Sequence, residues 1–226
     1  MELPSYRIVF SPRRRRAAMR IDDEGILELF LPPGMQESEA RRIITSNQHI
    51  IAKMYQQFAS RSAPVRYFFS EGEEFPFAGR RLRLKFSGRL AMICGNELLV
   101  PTGPPGEIRS RIEKIYRAAA PEVLLEKCRF YGAGRGLMPD SVGVTAAVTR
   151  WGSCNSRRHI SFCWKILLLP EDLAGYIVCH ELAHLKELNH SKAFWKLTGE
   201  LCPGALQLRK KLRNISDPWP APANNI

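Results

Sequence analysis

The chain has 226 residues, and its 34 Lys and Arg against 22 Asp and Glu give a formal net charge of +12. This length is enough for one large or two small domains with a packed core, and the positive charge favours acidic partners. No apolar signal-peptide core follows the four arginines at 13–16, and no stretch approaches the roughly 20 apolar residues of a membrane span, so we expect a soluble, cytoplasmic protein with no membrane partner.

The amino-terminal part is predicted to combine strands with one helix. Strands are indicated at residues 7–10 and 26–31, and the turn signal at 22–25 between them favours a β-meander. After Pro32-Pro33-Gly34, apolar residues at helical spacing predict one amphipathic helix from Ser38 to about Phe58.

Residues 67–100 are predicted to form further hairpins, because short apolar segments alternate there with glycine and proline turn signals. The densest Pro and Gly cluster of the chain follows at 101–106 and is the best candidate linker. We therefore predict a boundary near residue 105, with a β-rich domain at 1–105 and a second domain at 106–226.

The second half is predicted to be mainly helical. A long helix is indicated at 108–128, a strand at 142–146, and a hairpin at 149–169 with its turn near 155–158. After Pro170 a helix, with Asp172 able to cap it, is predicted to run through Leu188, and a last helical region from Ser191 to about Asn214 pauses at 203–204. The fold class is therefore α+β.

The predicted helix after Pro170 contains the sequence His180-Glu181-Leu182-Ala183-His184. Residues four apart lie on one face of a helix, so the two imidazoles can converge on one tetrahedral metal ion. Glu181, next to the first histidine, can reach a water molecule at that ion as a general base. This spacing predicts a catalytic zinc site.

A catalytic zinc usually has three protein ligands, and His190 is the candidate for the third. In an unbroken helix the ten residues from His180 would rise roughly 15 Å, too far for a shared ion. The helix must therefore end before His190, and Asn189 tolerates the left-handed conformation that reverses the chain. Ser191 can then cap the next helix.

Other candidate ligands have weaker support. His49 and His159 lack neighbouring donors, so a surface or structural role is expected for each. Glu187 is the local alternative ligand, with a supporting role in orienting an imidazole as the other interpretation. The six cysteines contain no Cys-x-x-Cys pair, which argues against a thiolate zinc site and favours reduced thiols.

At these residues the chain resembles the YgjP-like metal-dependent hydrolases, which are similar to the WLM and SprT-type zinc metallopeptidases of the zincin group. The resemblance is carried by several short motifs in a fixed order. These are Thr149-Arg150-Trp151-Gly152-Ser153-Cys154, Trp164, His180-Glu181-Leu182-Ala183-His184-Leu185, Asn189-His190-Ser191, Phe194-Trp195, and in the amino-terminal half Gly72-Glu73-Glu74-Phe75-Pro76-Phe77 with Gly79-Arg80.

The resemblance implies a zincin-like catalytic domain, a small sheet packed with helices, that binds one zinc ion per chain. It implies that His180, His184 and His190 are the zinc ligands and that Glu181 is the catalytic base. Zincins with a third histidine at this spacing often have Gly before the chain reversal, where this chain has Glu187. The implied activity is a metallopeptidase acting on protein or peptide substrates.

Two rival functions stay open at this stage. One is a nucleic-acid-associated binding protein with structural zinc, since basic clusters could contact phosphates. These clusters are residues 13–16, Arg80, Arg81, Arg83 and residues 209–211. The other is a zinc amidohydrolase that is not a peptidase. For the peptidase, an edge strand within residues 150–164 is expected to pair with the substrate, and Arg150 and Tyr176 are candidate oxyanion donors.

Overall fold

The computed structural model describes residues 5–22, 24–60, 65–147 and 149–219. The chain divides into two compact units, Met1–Pro64 and Val65–Ile226. Both units combine strands with helices, so the predicted α+β class is confirmed. None of the described helices has the length and apolar character that crossing a membrane requires.

The first unit contains a three-stranded sheet of β1 (Tyr6–Phe10), β2 (Ala18–Ile21) and β3 (Leu27–Leu31). The central strand β3 pairs in parallel with β1 and antiparallel with β2. Two of these strands were predicted, but the meander was wrong, because β2 lies on the far side of β3. Arg20 of β2 pairs there with the buried Glu28 of β3.

Two helices, α1 (Glu37–Ser46) and α2 (Gln48–Ala59), follow this sheet in place of the single predicted helix. The break falls at Asn47, whose Nδ2 donates a hydrogen bond to the Ile43 carbonyl at 2.8 Å. An asparagine side chain that bonds to the helix backbone in this way competes with continuation of the helix. Ile44 of α1 and Ile51 of α2 are buried against the sheet residues of this unit.

The second unit begins with a four-stranded sheet, which confirms the predicted hairpins. Its strands are β4 (Glu74–Phe77), β5 (Arg80–Ser87), β6 (Met92–Cys94) and β7 (Glu97–Pro101), in the order β4-β5-β7-β6. The predicted boundary near residue 105 lies inside this unit. The Pro and Gly cluster starts a helix there, with Pro105 in the first turn, where a missing backbone N–H costs nothing.

This helix, α3 (Pro105–Gly132), confirms the predicted long helix. One face of it is fully buried, with a core residue at every fourth position. Aromatic rings connect that face to its neighbours, because Tyr116 contacts Phe77 of β4 at 4.9 Å and Trp164 at 6.2 Å between ring centroids. The four-stranded sheet and the elements after α3 therefore share one core.

A second three-stranded sheet follows α3, formed by β8 (Ser141–Thr145), β9 (Gly152–Cys154) and β10 (His159–Cys163). The order β8-β10-β9 leaves β9 at an edge, antiparallel to β10. The predicted hairpin is thus confirmed, but its second strand ends earlier than expected. Trp164–Leu168 forms a short 3₁₀ helix with almost entirely buried side chains.

Three helices complete the second unit: α4 (Glu171–Ala183), α5 (Lys192–Leu201) and α6 (Ala205–Arg213). Pro170 is the amino-terminal cap of α4. The prediction that Asp172 caps this helix was wrong, because Asp172 lies within its first turn. Most of α4 is buried, with Leu173 to Cys179 all inaccessible to solvent or nearly so. It packs against α3, α5, α6 and β9, so this helix has a fixed position at the centre of the unit.

Candidate metal centre

In the His180-Glu181-Leu182-Ala183-His184 motif, His180 lies on the last turn of α4 and His184 follows directly after that turn. Their ring centroids are 5.0 Å apart, as expected for residues on one helix face. The helix ends at Ala183 with His184 as its carboxyl-terminal cap, so the prediction that it runs through Leu188 was wrong. Hydrogen bonds from the backbone amides of Lys186 and Glu187 to the Ala183 carbonyl oxygen close the helix.

His190 returns to the same place after this early end of α4. Its Nε2 lies 3.1 Å from Nε2 of His180. Asn189 is not among the described residues with a positive φ, so the reversal does not use the left-handed conformation expected of it. Ser191 caps α5 as predicted, and its hydroxyl oxygen accepts a hydrogen bond from the Phe194 amide at 3.1 Å.

The three histidines provide a donor set that fits a zinc ion. One ligand atom from each lies within 4.8 Å of the others. Two nitrogen ligands of a tetrahedral zinc are separated by about 3.3 Å, given zinc–nitrogen bonds of about 2.0 Å. The observed 3.1 Å between His180 and His190 is close to that spacing, and the other donor separations, up to 4.8 Å, would shorten when the three residues hold a divalent cation.

The protonation of the histidines suits coordination. Burial, with smaller effects of the neighbouring His184 and His190, lowers the pKa of His180 to about 4. Burial also lowers the pKa of His190. Nδ1 of His184 is 2.9 Å from the Glu187 carbonyl oxygen, which can only accept, so Nδ1 is the donor in this contact and Nε2 is the nitrogen left for a metal ion.

The role of Glu187 is therefore exerted through its backbone. Its carbonyl group orients the His184 ring, while its carboxylate accepts a longer hydrogen bond, of 3.4 Å, from Ser191. The cluster of converging donors contains the three histidines without Glu187. Orientation of a ligand imidazole by a carbonyl is a common supporting contact in zinc sites.

Glu181 faces β9 from the buried side of α4, and its side chain is 5% exposed. A Cβ on Gly152 of β9 would lie 2.7 Å from the Glu181 Cγ, so only glycine leaves space for this carboxylate. Burial raises the pKa of Glu181 to about 7, and the charge of Arg150 opposes that rise. Its Oε2 has no hydrogen-bond partner within the described residues.

A cavity of about 200 Å³ opens beside this carboxylate. Its wall is formed by residues of β9, α4 and α6. They are Trp151, Gly152, Tyr176, Ile177, His180, Glu181 and Leu212. One cavity therefore brings together a candidate metal ligand, the candidate base and Tyr176, one of the two candidate oxyanion donors. The other, Arg150, is close enough for its charge to act on Glu181.

Sequence reasoning assigned no role to Phe194, which packs against all three imidazoles. Its ring centroid lies 4.9 Å from that of His180, 4.5 Å from His184 and 4.7 Å from His190. The ring thus fixes the histidines from one side. The only signal was its place in the family motif, since no spacing rule predicts which aromatic residue packs on a ligand cluster.

The group of converging donors does not include the other two histidines, for which a surface or structural role is expected. His49 belongs to α2 of the first unit. His159 lies on β10, where Nδ1 contacts the Ser141 hydroxyl at 2.7 Å and Nε2 the Ser161 hydroxyl at 3.0 Å. All six cysteines are free thiols.

Hydrolysis assisted by a metal ion needs converging neutral donors and a carboxylate that can take a proton from water. The turn of His180-Glu181-Leu182-Ala183-His184 at the end of α4 provides both, so the site has the composition that metal-assisted hydrolysis requires. Residues 15–215 match the family described as "YgjP-like, metallopeptidase domain", so the chain belongs to the YgjP-like family. The resemblance noted in the sequence is thereby confirmed.

Two individual proteins show local similarity. The UTP pyrophosphatase of Escherichia coli (strain K12) is 35% identical over 74 residues, a match that covers 32% of this chain and 44% of that protein. The match thus spans less than half of that relative. The crystal structure of the metallopeptidase zymogen of Pyrococcus abyssi abylysin aligns with a TM-score of 0.34 and 28% identity, over 40% of this chain and 90% of that one.

Proposed function

We propose that the protein is a zinc-dependent hydrolase that cleaves peptide bonds, with one zinc held by His180, His184 and His190 and with Glu181 as general base. The convergence of three histidine nitrogens beside a buried carboxylate carries this proposal. Zinc has the tetrahedral preference and the affinity for imidazole that such a set requires.

The chain's own groups divide the work of catalysis. Zinc bound there would lower the pKa of a water molecule and polarise the scissile carbonyl. Glu181 would accept the proton of the attacking water and donate it to the leaving amine. Its side chain is buried, and burial raises its pKa to about 7, which suits a carboxyl group that must accept and release a proton near neutral pH.

The edge strand β9 supports a peptide as the substrate. It pairs with β10 on one side, and no described strand pairs with its other side. An extended peptide can add to such an edge through main-chain hydrogen bonds. Because Gly152 of β9 also contacts Glu181, a peptide on this edge would lie beside the candidate base.

A Glu181→Gln variant tests the assignment of the base. It removes the proton acceptor and leaves the three histidines, so we expect zinc content equal to wild type and a loss of turnover of at least a hundredfold.

His190→Ala is the complementary variant and should lose most of its zinc, with His159→Ala as control. Elemental analysis of protein purified without metal-affinity resin measures this. Full turnover in Glu181→Gln would contradict the proposal, as would full zinc retention in His190→Ala.

The substrate class is tested with unfolded proteins, peptides and small amides. Peptide cleavage that depends on Glu181 supports the peptidase. Cleavage confined to small amides would replace it with an amidohydrolase.

A second candidate function is hydrolysis of the phosphoanhydride bonds of a nucleoside triphosphate. The local match to a protein named UTP pyrophosphatase favours this function. Release of pyrophosphate from UTP by wild type, absent in Glu181→Gln, would favour this function over peptide cleavage. The same zinc and the same base would serve both reactions.

A further inference from the structure

Arg209 of α6 lies beside the metal centre. Its guanidinium carbon is 4.6 Å from the centroid of the Trp195 ring, and that ring stacks on His190 at 5.8 Å with planes inclined by 26°. A cation over an aromatic face is held by the ring's electron density and keeps its hydrogen-bond donors free. The arginine is thus positioned by a contact that leaves its charge unneutralised.

Arg213 lies on the same side of α6. Leu212 and Arg213 follow Arg209 by three and four positions, so both lie on the same side of the helix as Arg209. Leu212, between the two arginines, lines the cavity beside Glu181, and α6 packs against α4.

These arginines have no counter-charge within the described part of the chain. No carboxylate there lies within 4.0 Å of Arg209, Arg213 or Arg150. By contrast, Lys211 of the same helix pairs with Asp172 at 3.5 Å. Among the described residues that line the cavity, Glu181 is the one carboxylate, so these arginines have no acidic partner in its wall.

We propose that Arg209 and Arg213 bind an oxyanion of the substrate, a phosphate or a carboxylate, next to the metal centre. This proposal rests on the proposed function, because it places the substrate in the same cavity. A guanidinium offers a planar pair of donors that matches two oxygens of such a group. The face of α6 then determines which substrates are accepted.

The test measures binding by the zinc-loaded full chain with two probes, inorganic pyrophosphate and succinate. Isothermal titration compares wild type with Arg209→Gln, Arg213→Gln and the double variant. A charge-assisted hydrogen bond corresponds to a loss of about tenfold or more in affinity for each arginine. Lys210→Gln is the matched control, because it removes one charge from an exposed position of the same helix and should bind like wild type.

The two probes distinguish the source of the oxyanion. Loss confined to pyrophosphate identifies a phosphate, and loss confined to succinate identifies a carboxylate. Arg209→Lys keeps the charge without the planar fork and should bind with intermediate affinity. If a glutamine variant fails to fold, as judged by circular dichroism and zinc content, this lysine variant provides the same comparison.

Equal affinity of wild type and the double variant for both probes would overturn the proposal, as would the absence of binding by wild type. Neither result depends on turnover. Failure of the proposed function would appear as activity that persists in Glu181→Gln, while the binding difference between the arginine and Lys210 variants would remain.

Discussion

Gly152 shows how one residue of β9 controls the candidate base. Because a methyl group there would approach the Glu181 Cγ and Oε1 to 2.7 Å, Gly152→Ala must displace the carboxylate. A displacement of about 1 Å in a catalytic group can lower the rate about a hundredfold. We therefore expect turnover to fall by one to two orders of magnitude, with zinc content unchanged. Steady-state kinetics with elemental analysis checks this.

Gly88→Ala is the control for this substitution, since its Cβ would meet no atom within 4 Å and its φ is not positive. Its turnover should equal that of wild type. Wild-type turnover in Gly152→Ala would show that the carboxylate tolerates displacement, and the close contact would then have no part in catalysis.

At the scale of residues, the sequence predicted what local spacing determines. The convergence of His180 and His184 follows from helix geometry, and the return of His190 follows from the need for a third ligand. The contact of Gly152 with Glu181 could not be foreseen, because it joins residues far apart in sequence. Phe194 is near the histidines in sequence, but no spacing rule predicts that its ring packs on all three imidazoles. The chain reversal was predicted with the wrong conformation at Asn189, since hydrogen bonds to the Ala183 carbonyl end α4 earlier.

Among the helices, the position of α4 depends on a close approach to α3. A Cβ on Gly175 of α4 would lie 2.2 Å from the Tyr131 hydroxyl oxygen and 2.9 Å from its Cζ. Overpacking of this kind costs about 1–3 kcal/mol, so Gly175→Ala should lower the free energy of unfolding by that amount. Urea unfolding at one fixed zinc concentration measures it, because bound metal itself adds stability.

A double-mutant cycle separates this contact from a general effect of alanine. Tyr131→Leu removes the ring, so adding Gly175→Ala to it should cost little or even stabilise, since alanine favours helix more than glycine does. Gly199→Ala, at an uncrowded position of α5, is the control and should be neutral or stabilising. Additive effects of the two substitutions would argue against the contact.

At the scale of elements, the sequence predicted the long segments with periodic apolar residues. It did not predict element ends that depend on one side-chain hydrogen bond or on burial in the core. The apolar spacing of α3 was sufficient to place it. The division between α1 and α2 depends on one hydrogen bond from Asn47, and the 3₁₀ helix after β10 depends on burial of its side chains. Neither feature produces a regular spacing of apolar residues that could be recognised in the sequence.

The charge of the whole molecule supports acidic partners without identifying one. The basic clusters expected to contact phosphates fall in both units. Arg209, from one of them, contacts the Trp195 ring that stacks on His190. The arginines at 13–16 are exposed, although Arg14 lies over the Phe30 ring at 5.1 Å. Nucleic-acid association stays a prediction.

The division of the chain can be tested with two fragments. The Pro and Gly cluster at 101–106 was interpreted as a linker, since composition does not distinguish a linker from the start of a helix. In the structure, β4–β7 share a core with α3 and with the elements that carry the histidines. Fragment 65–226 keeps this core whole, whereas fragment 106–226 removes the sheet and exposes the buried face of α3.

We therefore expect fragment 65–226 to fold cooperatively and to bind zinc with wild-type stoichiometry. Fragment 106–226 should lose both properties. It lacks Phe77 and the rest of the four-stranded sheet, so the Tyr116 ring loses its contact with Phe77. Large unfilled positions in a core cost several kcal/mol each. Circular dichroism, thermal unfolding and elemental analysis compare the two. A folded, zinc-binding fragment 106–226 would instead place the boundary near residue 105, and an unfolded fragment 65–226 would mean that the first unit is required for the second.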